Sequence, residues 1–333
     1  MHTKSIRGTR SVGYSVCVVG AGPMAVNHIR ALNKVGFTVK HIGASVNSRR
    51  AQQVAKQFDI EHVWPDSGEM IEKADWDAVV LVTPPENTLE ILKRAQRRER
   101  PILVEKPVAL RAAELEALSS SSAPVLVGYN RRHYNVVRQA AGFVEKRNAC
   151  LATFQIPQAF GNDSPVRGTS AAEYAVKTKV AIHFIDLARS LLGNLHPVSV
   201  TETVTGQASP SRVMVTKSDR GDVCVFHANF NASANFGVTV DADGERVRLE
   251  PIERVAWFDG LEIVEPTEAV PIRQYAPVET YRDFEQHYSE GCKPGLYRQA
   301  QALLDVVSGR EDRYSATVTD AVEALRLAER LVS

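Results

Sequence analysis

Two glycines separated by one residue carry the clearest chemical signal in the chain. Gly20 and Gly22 directly follow an apolar, strand-like run, and Pro23 and Met24 then begin a helical pattern. Gly20 permits a tight turn, Gly22 lets phosphate oxygens approach the backbone, and Ala25 permits close packing of the helix on the strand. The free N–H groups and the positive dipole of the helix would face an anion. The pattern predicts a dinucleotide pyrophosphate site, although glycine turns also serve only to pack a helix on a strand.

The end of the second predicted strand indicates which dinucleotide binds. An acidic residue there would accept hydrogen bonds from the ribose 2′-hydroxyl of NAD, but residues 43–50 contain no acid. Ser45, Arg49 and Arg50 instead offer a hydroxyl and two guanidinium groups, which can bind the additional phosphate of NADP. We therefore expect NADP as the cofactor, with NAD possible if both arginines are only solvated surface residues.

Lys106 and His183 are the candidates for moving a proton. Lys106 follows a buried strand and precedes Pro107, so its amine lies at the carboxyl end of the sheet, where α/β proteins bind ligands. His183 can accept a hydroxyl proton or donate one to a carbonyl, and Asp186 lies three residues later on the same helical face. The structural alternatives are a lysine paired with Glu105, a buried histidine and an aspartate that bonds backbone.

Polar residues between the two halves of the chain are candidates for binding substrate. The loop 160–168 has the turn-rich composition of a segment that lines a cleft. Arg131, Arg132 and Arg167 would suit a diphosphate or a carboxylate, but surface arginines often have no such role.

Length and composition indicate a soluble protein with two domains. The chain has 333 residues, of which 44% are hydrophobic and 24% charged. A net charge of +1 gives no case for nucleic acid, and no apolar stretch is long enough to span a membrane. The four cysteines are scattered without CxxC spacing, so we expect no metal site, no disulfide framework and a cytoplasmic location.

The elements that must position these residues fall into two groups. From about residue 14 to 129, apolar runs alternate with helical patterns, which predicts a Rossmann-type, doubly wound parallel sheet. Residues 130–333 predict an α+β domain for substrate binding and oligomerisation, with an open, mainly antiparallel sheet. Residues 1–13 are expected to form a flexible tail, and a helix at about 319–332 is expected to dock by its apolar face, possibly on the first domain. Predicted strands are 15–19, 38–44, 78–83, 102–105, 125–129, 150–156, 198–205, 212–217, 222–229, 235–241 and 245–251, and predicted helices are 25–34, 48–58, 87–98, 112–119 and 181–192.

Several motifs together resemble the glucose-fructose oxidoreductase, inositol dehydrogenase and MocA (Gfo/Idh/MocA) family of NAD(P)-dependent sugar enzymes. The motifs are the glycine turn, Thr83-Pro84-Pro85-Glu86-Asn87, Glu105-Lys106-Pro107, Gly128-Tyr129-Asn130-Arg131-Arg132 and His183-Phe184-Ile185-Asp186. The resemblance covers nearly the whole chain.

The resemblance implies roles for these motifs. It places Thr83, Pro84, Asn87 and Glu105 around the cofactor and Lys106 near the nicotinamide and the substrate hydroxyl, with Pro107 in a cis peptide. It places Asn130 and Arg131 near the cleft. It further implies dimers or tetramers that form by pairing of the second sheet, for which Val213, Val215, Val223, Val225 and Ala228 suggest an apolar face.

Two features bear on the substrate. Residues 293–299, KPGLYRQ, are similar to a segment of family members from polysaccharide-biosynthesis clusters, which favours a nucleotide-sugar or another activated sugar. The chain departs from the family pattern four residues before His183, where Lys179 replaces the usual aspartate. Lys179 could bind a substrate carboxylate or phosphate, or point to solvent, and Tyr174 is a possible substitute acid.

The sequence thus predicts an NADP-preferring oxidoreductase that transfers a hydride between nicotinamide and a ring carbon of a sugar, with Lys106 and His183 handling the proton. The alternatives are a non-catalytic NAD(P)-binding regulator or scaffold with the same fold, which Lys179 motivates, and an imine or thiazoline reductase.

Overall fold

The computed structural model describes residues 13–157, 170–203, 211–229, 232–285 and 291–332, with side chains of the helix that begins at Ser170 described from residue 178 onward. The expected flexible tail and the loop 160–168 therefore lie outside the described residues, apart from Gly13. No helix in the described ranges is both long and apolar enough to cross a membrane.

The first sheet has six parallel strands in the order β3-β2-β1-β4-β5-β6, which confirms the predicted doubly wound architecture. The strand order reverses between β1 and β4, and ligands of such sheets bind at the carboxyl ends beside this point. The strands are β1 (Ser15–Val19), β2 (Thr38–Gly43), β3 (His62–Trp64), β4 (Ala78–Leu81), β5 (Ile102–Val104) and β6 (Val125–Val127). The helices are α1 (Pro23–Val35), α2 (Arg49–Phe58), α3 (Ser67–Lys73), α4 (Pro85–Gln96) and α5 (Ala112–Glu116).

Local side chains set the ends of these helices. The Ser48 hydroxyl accepts the N–H of Ala51 at 3.2 Å and begins α2. Gly36 adopts a left-handed conformation that ends α1. Both ends had been predicted within two residues. The short edge strand β3 and helix α3 were not predicted.

The second sheet is mixed rather than a simple antiparallel meander. Its order is β14-β13-β12-β11-β7-β10-β9-β8, and β7 lies in the middle, parallel to β10. Alternate residues of β7 are fully buried, so one face of this strand contributes Ala152, Phe154 and Ile156 to the core. The strands are β7 (Leu151–Pro157), β8 (Leu195–Glu202), β9 (Arg212–Ser218), β10 (Val223–Asn229), β11 (Gly237–Ala242), β12 (Glu245–Leu249), β13 (Arg254–Val264) and β14 (Gln274–Phe284). The remaining helices are a 3-10 helix (Asn130–His133), α6 (Asn135–Glu145), α7 (Ser170–Leu192), α8 (Leu296–Val307) and α9 (Val318–Val332).

The end of the chain returns to the first sheet. Helix α8, which the sequence analysis missed, packs on α1, and Leu296 and Leu303 share a core with Val16 and Val18. Helix α9 packs against α5 and α7. These contacts bring segments from both halves of the chain around one cleft.

The outer face of the second sheet is partly apolar. Val213 and Val223 are 37% and 36% exposed there. Ala228 was expected on the same face, but it is fully buried on the opposite side, because alternate residues of a strand face opposite sides of the sheet.

Candidate active site

The glycine turn connects β1 to α1 in a form that fits a dinucleotide. Gly20 has φ of +109°, its N–H donates to Gly43 O at 2.8 Å, and a Cβ there would overlap the carbonyl of Val82. A Cβ at Gly22 would meet nothing within 4 Å, and Gly22 caps α1 with no side-chain hydrogen bond. No side chain at the N-cap binds the first-turn N–H groups of α1, which leaves them available to an anion such as a pyrophosphate.

The loop after β2 presents cations and no acid. Ser45, Arg49 and Arg50 are all exposed, and the two arginines occupy the first turn of α2. Ser48 keeps its side chain on the helix cap, which leaves Ser45 as the free hydroxyl of this loop among the described contacts.

The segment after β4 lies beside the glycine turn. The Thr83 and Thr88 hydroxyls are 2.8 Å apart, and the N–H of Asn87 donates to Pro84 O at 3.0 Å. Asn87 is exposed in the first turn of α4. Thr83, Pro84 and Asn87 thus border the edge of the sheet where the cofactor would lie.

Glu105 is held by a residue that sequence reasoning missed. Its Oε1 lies 2.7 Å from Nε2 of His28, which is buried in α1, and its Oε2 accepts the backbone N–H of Lys106 at 3.1 Å. Burial would raise the pKa of Glu105, but the hydrogen bond and charge of His28 outweigh it and hold the pKa below its usual value. The sequence pattern could have predicted a buried role for His28, because it is a polar residue within the apolar stripe of Ala25, Ile29 and Leu32.

Lys106 extends from this network to helix α7. The Lys106–Pro107 peptide is cis, as the resemblance implied, and Nζ of Lys106 donates to the backbone oxygen of Lys179 at 3.3 Å. Burial lowers the pKa of Lys106 to about 8; Glu105 opposes this shift, and Arg131 and other nearby cations add to it. An amine with this pKa can accept or release a proton near neutral pH.

His183 lies one helical turn after Lys179 on α7. Its Nδ1 is buried and has no hydrogen-bond partner among the described residues. Burial, followed by the charges of Lys106, Arg131 and Lys293, holds the pKa of His183 well below its usual value. The imidazole is therefore neutral at neutral pH and can act as a hydrogen-bond acceptor or proton acceptor.

Arg131 and Lys293 complete a cluster of cations around the cleft. The Arg131 guanidinium lies over the ring of Phe184, 4.4 Å from its centroid, and also contacts the ring of Phe236. The Nζ of Lys293 lies 3.7 Å from the sulfur of Met24, at the start of α1. The resemblance of residues 293–299 to a family segment does not predict this position of Lys293.

Two residues predicted to contact substrate, Asn130 and Asp186, have hydrogen-bond partners within the protein. Both carboxylate oxygens of Asp186 bind Arg132, at 2.6 to 3.1 Å, and both side chains are buried. The amide of Asn130 donates to Pro294 O at 3.0 Å. Asp186 and Arg132 therefore form a buried ion pair, because a buried carboxylate requires a partner. A substrate contact of Asp186 stays a prediction. The side chain of Tyr174 and all of Arg167 lie outside the described residues.

Comparisons with known proteins agree with this architecture. Residues 14–123 match the family model described as "Oxidoreductase family, NAD-binding Rossmann fold" (GFO_IDH_MocA). Inositol 2-dehydrogenase of Rhizobium meliloti is 31% identical over 56% of this chain and 57% of its own length. The aligned part thus spans little more than half of that curated relative.

Solved structures share the fold over nearly the whole chain. Levoglucosan dehydrogenase in complex with NADH and levoglucosan has a TM-score of 0.73 and 20% identity, covering 96% of each chain. UDP-N-acetylglucosamine 3-dehydrogenase of Acidithiobacillus ferrooxidans has a TM-score of 0.71 and 16% identity, covering 96% of this chain and 97% of its own. At these identities the likeness concerns the fold alone.

Proposed function

We propose that this chain, of which residues 14–123 match the GFO_IDH_MocA family model, is an NADP-preferring enzyme that transfers a hydride between nicotinamide and a ring carbon of a sugar or nucleotide-sugar. One observation carries the proposal. The amine of Lys106 lies at the carboxyl edge of the first sheet, bonded to α7 one turn before His183, with a pKa of about 8.

The residues divide the chemistry as follows. A bound nicotinamide cofactor would supply a hydride acceptor for oxidation and a hydride donor for reduction. In its neutral form, Lys106 accepts the proton of the substrate hydroxyl, and neutral His183 orients that hydroxyl or takes the proton. Glu105, held by His28, fixes the backbone of Lys106, so His28 is a positioning residue.

The preference for NADP rests on the loop after β2. Ser45, Arg49 and Arg50 would hold the 2′-phosphate, while Gly20, Gly22, Pro23 and Met24 would hold the pyrophosphate. A carboxylate that would select NAD is missing from residues 43–50.

The substrate class rests on the names of the relatives. An inositol dehydrogenase, a levoglucosan dehydrogenase and a UDP-N-acetylglucosamine dehydrogenase all act on sugars or sugar-like polyols by name.

We propose a division at residues 129/130 into a cofactor domain and a substrate domain. We also propose that the outer face of the second sheet, with Leu151 and Val213 exposed, pairs in a homodimer or homotetramer. The four cysteines are buried as thiols, and we propose a cytoplasmic location, where thiols stay reduced.

A turnover screen tests this function. The full chain is mixed with NADP or NAD and a panel of sugars, inositols and nucleotide-sugars, and the change in nicotinamide absorbance is followed. Reduction of NADP by at least one member of the panel, at a rate above that with NAD, supports the proposal. Turnover that is faster with NAD would remove the stated cofactor preference.

A non-catalytic nucleotide-binding regulator is the second candidate. It is favoured by Lys179, whose backbone oxygen binds the amine of Lys106 and whose side chain adds a cation where proton transfer would occur. Calorimetry that finds tight NADP binding, with no turnover across the panel, would favour this candidate over the enzyme.

A further inference from the structure

Four cations surround the cleft of a protein that is otherwise nearly neutral. The net charge of the chain is +1. The charges of Arg131, Lys293 and Lys179 all act on Lys106, and every charged group that shifts the pKa of His183 is a cation. This charge is therefore a property of the cleft and not of the protein as a whole.

Two acids offset part of this charge, because Glu105 acts on Lys106 and Glu253 acts on Arg131, whereas the charges that act on His183 are all cationic. Both oxygens of Glu105 are already bound, one by His28 and one by the N–H of Lys106. Glu253 acts on Arg131 only through its charge, without a hydrogen bond among the described contacts. Like charges brought together under partial burial destabilise the free protein, and an anionic ligand would relieve that repulsion.

Arg131 is already arranged to bind an anion. Its guanidinium is fixed against Phe184 and Phe236 and by a hydrogen bond with Tyr134, while its Nη1 is buried without a partner among the described residues. A fixed guanidinium with a free N–H edge matches a carboxylate or a phosphoryl group. Lys179 adds a second, half-buried cation one turn before His183.

We propose that the substrate carries an anionic group, a carboxylate or a phosphoryl group, that binds between Arg131 and Lys179 beside Lys106 and His183. This inference rests on the proposed function for its location, and it goes further by assigning a charge to the sugar. Lys293 lies beside Met24 at the start of α1, so we assign it to the pyrophosphate of the cofactor rather than to the substrate.

Matched pairs of neutral and charged sugars test the inference. Binding of glucose, glucuronate and glucose 6-phosphate, and of galactose and galacturonate, is measured by calorimetry on the full chain with and without NADPH. We expect at least one charged sugar to bind about tenfold or more tightly than its neutral partner, with the preference weakened by salt. The uronates and the phosphate distinguish the two sources of the anion.

Substitutions of Lys179 test whether this residue causes the preference for charged over neutral sugars. Lys179→Gln should reduce the preference about tenfold and Lys179→Glu should abolish it, whereas Lys146→Gln, which removes an exposed lysine at the C-cap of α6, should leave it unchanged. Equal affinity within every pair, no binding of any charged sugar, or a preference that survives Lys179→Glu would overturn the inference. Turnover of neutral sugars alone would leave the proposed function standing and this inference wrong. Tighter binding of a charged sugar without turnover would support the anion site between Arg131 and Lys179 and contradict the proposed enzymatic function.

Discussion

The Nε2 atom of His28 lies 2.7 Å from Oε1 of Glu105, so the helix that follows the glycine turn is joined directly to the strand end that carries Lys106. Both side chains are largely buried, at 1% and 12% exposure. Two hydrogen bonds, from His28 to Glu105 and from Glu105 to the backbone of Lys106, therefore connect α1 to the residue proposed to accept the proton.

Removing His28 should destabilise the fold because it leaves a buried carboxylate unpaired. We expect His28→Leu to lower the free energy of unfolding by about 3 kcal/mol, measured by urea denaturation. The double variant His28→Leu, Glu105→Leu should recover part of the loss, since it leaves no unpaired charge. Arg30→Leu, on the exposed face of α1, is the control. Unchanged stability in His28→Leu would contradict the pairing.

Lys106 should destabilise the folded protein at neutral pH. Its pKa falls from 10.5 to about 8 on folding. The unfolded chain then binds more protons between these values, so the stability of the protein should rise with pH from about 8 to 10.5. Lys106→Met should be more stable than the parent by up to about 3 kcal/mol at pH 7, with the difference shrinking across that window. Denaturation at pH 7 and pH 10 measures this, and equal pH dependence in Lys106→Met and Lys146→Met would refute the shift.

Alanine substitution of Gly20 should lower stability, whereas alanine substitution of Gly22 should weaken cofactor binding. Gly20→Ala places a Cβ against Val82 O in a left-handed conformation, so we expect a loss of stability of about 2 kcal/mol or more. Gly22→Ala has open space and an extended backbone, so it should fold normally and weaken NADP binding about tenfold or more. Thermal unfolding and calorimetry separate the two effects. Equal losses of stability would show that Gly22 has only a packing role.

Cofactor selection should depend on the first turn of α2. We expect Arg49→Gln and Arg50→Gln each to weaken NADP binding about tenfold while leaving NAD binding unchanged, because a charge-assisted bond to the 2′-phosphate is lost. Lys56→Gln, an exposed cation near the other end of the same helix, should change neither affinity. Titrations with both cofactors measure this. Parallel losses for NAD and NADP would indicate a role in folding rather than in selection.

The first sheet was predictable because four of its strands, β1, β4, β5 and β6, are short apolar runs followed within a few residues by a glycine or a proline. The exceptions follow from weak local signals. Strand β3 has only three residues at the sheet edge, with two of them exposed, and β13 is exposed over its second half. Helix α8 was missed although its first residue follows a glycine in the left-handed conformation.

Side-chain partners at long sequence separation were harder to anticipate. Asp186 and Arg132 are 54 residues apart, and nothing local distinguishes a carboxylate with a buried partner from one that faces a cleft. The position of Lys293 beside Met24 depends on the return of the chain to the first sheet, 269 residues later. Lys106, His183, Arg131 and Lys179 could be singled out from residue type and motif, but the effect of Lys293 on the pKa values of Lys106 and His183 could not.

The pH dependence of kcat/KM for NADP-dependent sugar oxidation tests the central claim most directly. If Lys106 accepts the hydroxyl proton, kcat/KM of the parent should rise to a plateau above a pKa near 8, because the neutral amine is the active form. Lys106→Met should lower kcat by about 10²–10⁴-fold and remove this limb of the profile. A parent profile that is flat through pH 8, or an undiminished rate in Lys106→Met, would contradict the account.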